Sequence, residues 1–199
     1  MSNYHIIAVD CDDVLVATAP LILNHYNKTY GTHLELKDMY SKDLKIWDVP
    51  DAGTAIARVE GYLQTDEYRK QPPLREAIGV TKRLAQHYEL HIVTGRTEFL
   101  AAATQAMLEQ YFPNVFQSIE YTGFFGDKAR SKADVCKELR ADLLIDDHLH
   151  HAEVVAGVGI DVLLFGEYPW NHADELPKRM RRARSWTDIE KILLPSAVV

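Results

Sequence analysis

Short runs of β-branched and aliphatic residues alternate along the chain with stretches whose apolar residues recur every three or four positions. Five runs read as strands: His5–Val9, Leu90–Val93, Val115–Tyr121, Leu143–Ile145 and Val162–Phe165. They are continuously apolar rather than alternating, the pattern of strands covered on both faces. Helical periodicity fills the intervals at Leu74–His87, Glu98–Phe112, Ser131–Leu139 and Leu149–Ala156. Pro113 stops the second of these, Ser131 is placed to cap the third, and Gly157 or Gly159 ends the fourth. Ser185 opens a last helix reaching Leu194. Strands alternating with helices predict an α/β fold with a doubly wound, mostly parallel five-stranded sheet.

One interval breaks the rhythm. Residues 16–73 separate the first strand from its crossover helix, far more than a connection needs. The stretch reads as helical at Ala19–Tyr30 and Gly53–Tyr62, punctuated by Gly31, Pro50 and Pro72-Pro73. The expected organisation is a core built from 1–15 and 74–199, with a small helical subdomain inserted at 16–73.

Strand ends carry the chemistry in such a sheet, because ligands bind outside the carboxyl edge. Asp10-Cys11-Asp12-Asp13 follows the first strand, Thr94-Gly95-Arg96 the second and Asp146-Asp147 the fourth, while Lys132 starts the helix leading into the fourth. Asp10 and Asp12, two apart, can leave an extended chain on one side. Together with Asp146 and Asp147 they make a cluster that repels itself unless protons or a cation neutralise it. Mg²⁺, a hard cation that works with phosphate oxygens, suits that donor set. One carboxylate can attack phosphorus and a second can move the proton. Thr94 and Lys132 offer a hydroxyl and a positive charge to phosphoryl oxygens.

Composition narrows the partners. The 199 residues carry 22 Lys and Arg against 29 Asp and Glu, a formal net charge of −7. That balance disfavours a nucleic-acid polymer or an anionic membrane surface as partner, but not a small phosphate ester held by a metal ion. Two cysteines, no basic-then-apolar leader and no long apolar run predict a reduced, cytoplasmic protein, with monomer and homodimer both left open.

The ordered set of Asp10-Cys11-Asp12-Asp13-Val14-Leu15, Thr94, Lys132 and Asp146-Asp147 resembles the four motifs of the haloacid dehalogenase-like phosphohydrolases. The resemblance spans residues 5–165. It implies a nucleophilic Asp10 that forms an aspartyl-phosphate and an Asp12 acting as general acid and base. It further implies Mg²⁺ held by Asp10, the Asp12 main-chain carbonyl and Asp147, with Asp146 behind them, and a phosphoryl group bound by Thr94, Gly95 and Lys132. The implied strand order is 5-4-1-2-3, and the insertion corresponds to a cap. The helical cap and the stretches Ser131–Leu139 and Leu143–Asp147 resemble the 5′(3′)-deoxyribonucleotidase branch, although Gly95-Arg96 stands where its mammalian members carry Ser-Pro. A nucleoside monophosphate is the implied substrate. A sugar phosphate or other small ester is the alternative, and a receiver-like or non-catalytic phosphate-binding domain is a different class.

Several residues stay open on this reading. Arg96 either binds an anionic group of the substrate or braces its loop by pairing with an acid. Trp47, in the loop Lys45–Pro50, is the aromatic residue best placed to reach the cleft. His148, His150 and His151 read as a polar turn opening a helix rather than as a transition-metal site. Tyr168-Pro169-Trp170-Asn171 either lines the pocket, meets a second copy or plugs the core. The basic run Lys178–Arg184 reads as a solvated helix face. Cys11, between carboxylates, is expected to be inert.

Overall fold

The computed structural model describes residues 4–123 and 130–194. Six strands form one parallel sheet: β1 (Ile6–Val9), β2 (Glu89–Thr94), β3 (Phe116–Tyr121), β4 (Leu143–Asp146), β5 (Asp161–Phe165) and β6 (Met180–Ala183). Their order is β3-β2-β1-β4-β5-β6, so the expected 5-4-1-2-3 arrangement is present with one further strand at its edge. β1 lies centrally and pairs with both β2 and β4.

The continuous apolar runs are explained by burial on both faces. Ile7, Val9, Leu143 and Ile145 face one apolar cluster, whereas Ala8 and Leu144 face the other. The first cluster is closed by α4 (Arg75–Leu84), α5 (Ala101–Tyr111) and α8 (Trp186–Leu193), through Leu84, Leu108 and Trp186. The second is closed by α6 (Lys132–Leu139) and α7 (Leu149–Gly157), through Val135, Cys136, Ala152 and Val155.

β6 corrects the helical reading of the basic run. Met180 and Ala183 are buried, Arg181 is exposed, and the segment pairs in parallel register with Val162–Phe165. Charge on an edge strand blunts further pairing, and here it also ties a loop. Arg182 donates to the carbonyls of Gly166 and Asn171 at 2.7 Å each.

Between β1 and α4 the chain forms α1 (Thr18–Tyr30), α2 (Ala52–Leu63) and α3 (Asp66–Arg69). α1 ends at Gly31, whose φ of 69° needs no Cβ, with its N–H on the Asn27 carbonyl. Asp51 and Thr65 cap α2 and α3. These helices bury their own apolar residues, Leu23, Tyr26, Leu34 and Trp47 in one group and Ile22, Tyr62 and Tyr68 in another. The insertion returns where it left: the Leu74 amide donates to the Leu15 carbonyl at 2.7 Å. No helix among the described residues is long and apolar enough to cross a membrane.

Candidate active site

The carboxyl edge of the central strands gathers Asp10, Thr94, Lys132, Asp146 and Asp147, all buried. Asp10 leaves β1 with its amide on the Ile145 carbonyl at 2.9 Å, which fixes the β1 and β4 ends side by side. Lys132 is the first residue of α6, started by the Ser131 hydroxyl accepting from the Asp134 amide at 3.0 Å. Its ammonium therefore points back across the sheet edge. It lies 2.8 Å from Asp10 Oδ2 and 2.6 Å from Asp146 Oδ2.

The two faces of this pairing differ. Burial pushes the Asp10 carboxyl up to about 6; Lys132 opposes the rise, and Asp146 and Asp12 add to it. Burial raises the Asp146 carboxyl, but the Lys132 ammonium and His151 together hold it below its ordinary range. The same two acids hold Lys132 above its ordinary range against the pull of burial. Both Asp146 oxygens are committed, Oδ2 to Lys132 and Oδ1 to the His148 amide at 2.8 Å. Asp147 is raised well above the carboxylate norm, first by burial and then by Asp146 and Asp10.

Asp12 has a separate set of partners. Arg96 Nη2 reaches Asp12 Oδ1 at 2.7 Å and Arg96 Nε reaches Oδ2 at 3.0 Å. Arg96 also donates to the Tyr68 hydroxyl at 2.7 Å and to Thr104 at 3.0 Å. The pairing of Arg96 with an acid is present: the buried guanidinium bonds Asp12, Tyr68 and Thr104. Burial raises the Asp12 carboxyl, but Arg96 outweighs it and the net direction is down. Asp12 Oδ1 further accepts from the Thr18 hydroxyl of α1. Its side chain remains 33% exposed, so one oxygen edge faces the cavity.

That cavity, about 680 Å³, lies between the insertion and the sheet edge. Ile22, Met39, Ile56 and Leu100 supply apolar wall, and Ser41, Lys42 and Thr97 supply polar groups. Gly95 and Arg96 form its floor beside Asp12. Trp47 borders it but is only 4% exposed, packed edge-on against Tyr26 with centroids 5.0 Å apart. Tyr40, from the insertion, reaches over to the core and meets His148 and Trp170 edge-on.

Asp13, Thr18, Tyr68, Trp170 and Asn171 complete the surroundings; Asp13 stood in the first motif and Trp170-Asn171 in a loop whose role was open, whereas Thr18 and Tyr68 were not among the candidates. Asp13 adopts a φ of 56° and its carboxylate accepts from the Ala19 amide at 3.0 Å, capping the start of α1. Burial raises it to about 7. It reaches the Ala19 amide from six residues back, so no local capping pattern marks it. Tyr68 is 56 residues from Asp12 in sequence, and nothing local marks that contact. Cys11 is fully buried and its thiol is pushed up to about 12, first by burial, consistent with inertness.

One oxygen from each of Asp10, Asp146 and Asp147 lies within 4.8 Å of the others. Three buried carboxylates, two of them sharing the Lys132 ammonium and the third with no cationic partner among the described residues, offer only oxygen donors and fit a hard divalent cation such as Mg²⁺.

Comparisons with known proteins agree on the family. The family described as 5′ nucleotidase, deoxy (pyrimidine), cytosolic type C protein matches residues 4–198. A 5′(3′)-deoxyribonucleotidase of Bacillus subtilis is 29% identical over 196 residues, covering 95% of this chain and 98% of that one. Among solved structures, a haloacid dehalogenase-like hydrolase from Streptococcus pneumoniae superposes with a TM-score of 0.68 at 16% identity, covering 95% of this chain and 98% of its own. A magnesium-bound HAD-hydrolase from Bacillus subtilis gives 0.57 at 15% identity, covering 96% and 99%.

Proposed function

The chain belongs to the 5′ nucleotidase, deoxy (pyrimidine), cytosolic type C family of haloacid dehalogenase-like phosphoric monoester hydrolases, and from that premise we propose that it hydrolyses (deoxy)ribonucleoside monophosphates through a phospho-Asp10 intermediate with Mg²⁺ bound. The observation that carries this reading is the division of labour between two carboxylates two residues apart. Asp10 is buried against Lys132, while Asp12 is braced by Arg96 with an edge open to the cavity.

Asp10 attacks phosphorus through a carboxylate oxygen, forming the P–O bond of the acyl phosphate as the ester P–O bond breaks. Asp12 passes a proton to the departing ester oxygen. Its carboxyl is ionised in the free site, so that proton comes from the monoanionic form of the ester, whose second ionisation lies near pH ~6. In the second half, Asp12 takes the proton of the water that attacks the phospho-Asp10 phosphorus, and inorganic phosphate leaves. The Thr94 hydroxyl and the Lys132 ammonium hold the phosphoryl oxygens, and Gly95 lets the main chain approach them. Mg²⁺, held by Asp10, the Asp12 main-chain carbonyl and Asp147, supplies charge neutralisation for the phosphoryl group. Asp146, with both oxygens committed, supports from behind.

The insertion serves as the cap, with Trp47 stiffening its wall, and its apolar surface with Ser41, Lys42 and Thr97 provides room for a base and a sugar. The name of the Bacillus subtilis relative supports the deoxyribonucleotide class. The test is a Mg²⁺ hydrolysis panel of nucleotides, deoxynucleotides, sugar phosphates and an aryl phosphate, run with Asp10→Asn alongside. Nucleoside monophosphates should lead the panel, and Asp10→Asn should hydrolyse nothing. A folded Asp10→Asn protein with full aryl phosphatase activity would falsify the nucleophile, and a lead for sugar phosphates would move the substrate class.

A further inference from the structure

The loop after β5 is built around Asp147. Asn171 is fully buried, and its Nδ2 donates to the Asp147 main-chain carbonyl and to the Phe165 carbonyl, each at 2.9 Å. Its Oδ1 accepts from the Tyr168 amide and from Arg182, each at 3.0 Å. Trp170 Nε1 donates to Asp147 Oδ2 at 2.6 Å. The Tyr168 ring stacks on Trp170 with centroids 4.7 Å apart and planes 3° apart, and the Tyr168 hydroxyl donates to the Asp13 carbonyl at 2.8 Å. Gly166 permits the turn: its φ is 74°, and a Cβ there would sit 2.4 Å from the Tyr168 ring.

We propose that Trp170 is a positioning residue for the divalent cation, acting through Asp147. This rests on the reading of Asp147 as a metal ligand. An indole N–H can donate but cannot accept or ligate. By occupying Oδ2 it fixes the carboxylate plane and leaves Oδ1 as the oxygen presented to the ion. Asn171 fixes the main chain beneath, so the ligand is held at both ends. Such outer partners typically change metal affinity by ~10–100-fold when lost. One face of the Trp170 ring is covered by Tyr168 and its polar edge is spent on Asp147. Tyr40 meets Trp170 edge-on at 5.3 Å between centroids, so the insertion also packs against the ligand's support.

The experiment compares the intact protein with Trp170→Phe, which keeps a ring and loses the donor; Trp170→Leu, also without a donor, serves if the Phe variant does not fold. Mn²⁺ binding without substrate is followed by electron paramagnetic resonance, and the Mg²⁺ concentration for half-maximal hydrolysis is measured separately. Both should weaken roughly tenfold or more, with kcat at saturating Mg²⁺ within about threefold of the unaltered protein. Unchanged Mn²⁺ affinity with a raised KM for nucleotide overturns the proposal and makes Trp170 a substrate contact. Asp147→Asn separates the two levels. If it binds Mn²⁺ normally, the metal-site reading itself fails; if it loses Mn²⁺ while Trp170→Phe does not, only the positioning role fails.

Discussion

Lys132→Met is the perturbation that most directly probes the charge arrangement of the site. The ammonium is 4% exposed and bonds two buried carboxylates at 2.8 and 2.6 Å. Met keeps the length and removes the charge, leaving Asp10 and Asp146 facing each other. Removing one partner of a buried ion pair costs about 3–5 kcal/mol. At roughly 2–4 °C per kcal/mol for a chain of this size, the melting temperature should fall by roughly 10 °C at pH 8 without metal. The pH dependence follows from the carboxylates. Lys132, raised above its ordinary value, is charged in both folded and unfolded states between pH 5 and 8 and contributes no slope there. Asp10, raised to about 6, keeps a proton in the folded state that the unfolded chain has released above 3.8, so its contribution to stability falls as pH rises through that window. Without Lys132 the Asp10 carboxyl rises further, and its proton replaces part of the missing charge at pH 5. The deficit should therefore be smaller at pH 5 than at pH 8, and Mg²⁺ should recover more of it at pH 8. Calorimetric unfolding at both pH values, with chelator and with Mg²⁺, measures this. An equal deficit at the two pH values, or none at pH 8, refutes the account of how these acids are neutralised.

Two further outcomes follow from the same geometry. Arg96→Met should lower kcat/KM for alkyl phosphates by ~10–100-fold while leaving dinitrophenyl phosphate nearly unchanged, because the activated ester needs little proton donation from Asp12; equal losses on both esters would instead assign Arg96 to the phosphate. Cys11, buried with its thiol at about 12, should resist iodoacetamide in the folded protein at pH 8 and react after denaturation, as followed by intact mass.

The sheet was legible because parallel strands buried on both faces leave continuous apolar runs, as at Ile6–Val9 and Leu143–Ile145. β6 was not, because an edge strand needs only two inward positions, and Met180 and Ala183 are hidden among arginines whose role is to hold a loop. The acids were legible for a related reason: they follow strands directly, so sequence position alone places Asp10 and Asp146 at one edge. Their partners come from elsewhere. Arg96 lies 84 residues from Asp12, and Tyr68 and Thr18 approach Asp12 from the insertion. That Arg96 has an acid to pair with is visible only in this fold-level proximity. Trp47 shows the reverse limit: its loop position drew attention to the cleft, which it borders, but it is 4% exposed and packs in the insertion's own apolar group with Leu23, Tyr26 and Leu34.

The pairings also locate where the site remains short of positive charge. Asp10 and Asp146 share Lys132, and Asp12 takes Arg96. Asp147 has no ion pair with a Lys or Arg among the described residues; its Oδ2 has only the neutral Trp170 indole N–H. Asp10, Asp12, Asp146 and Asp147 against these two cations leave a deficit of two charges when all are ionised, and the buried Asp13, raised to about 7, adds to it once it ionises. The rise of Asp147 well above its ordinary range is the same deficit expressed as proton affinity. Metal and proton therefore compete for this carboxylate, and a neutral donor at Oδ2 suits the contest. A Lys or Arg in place of Trp170 would stabilise the bare anion and lower the affinity of this carboxylate for a proton or a cation.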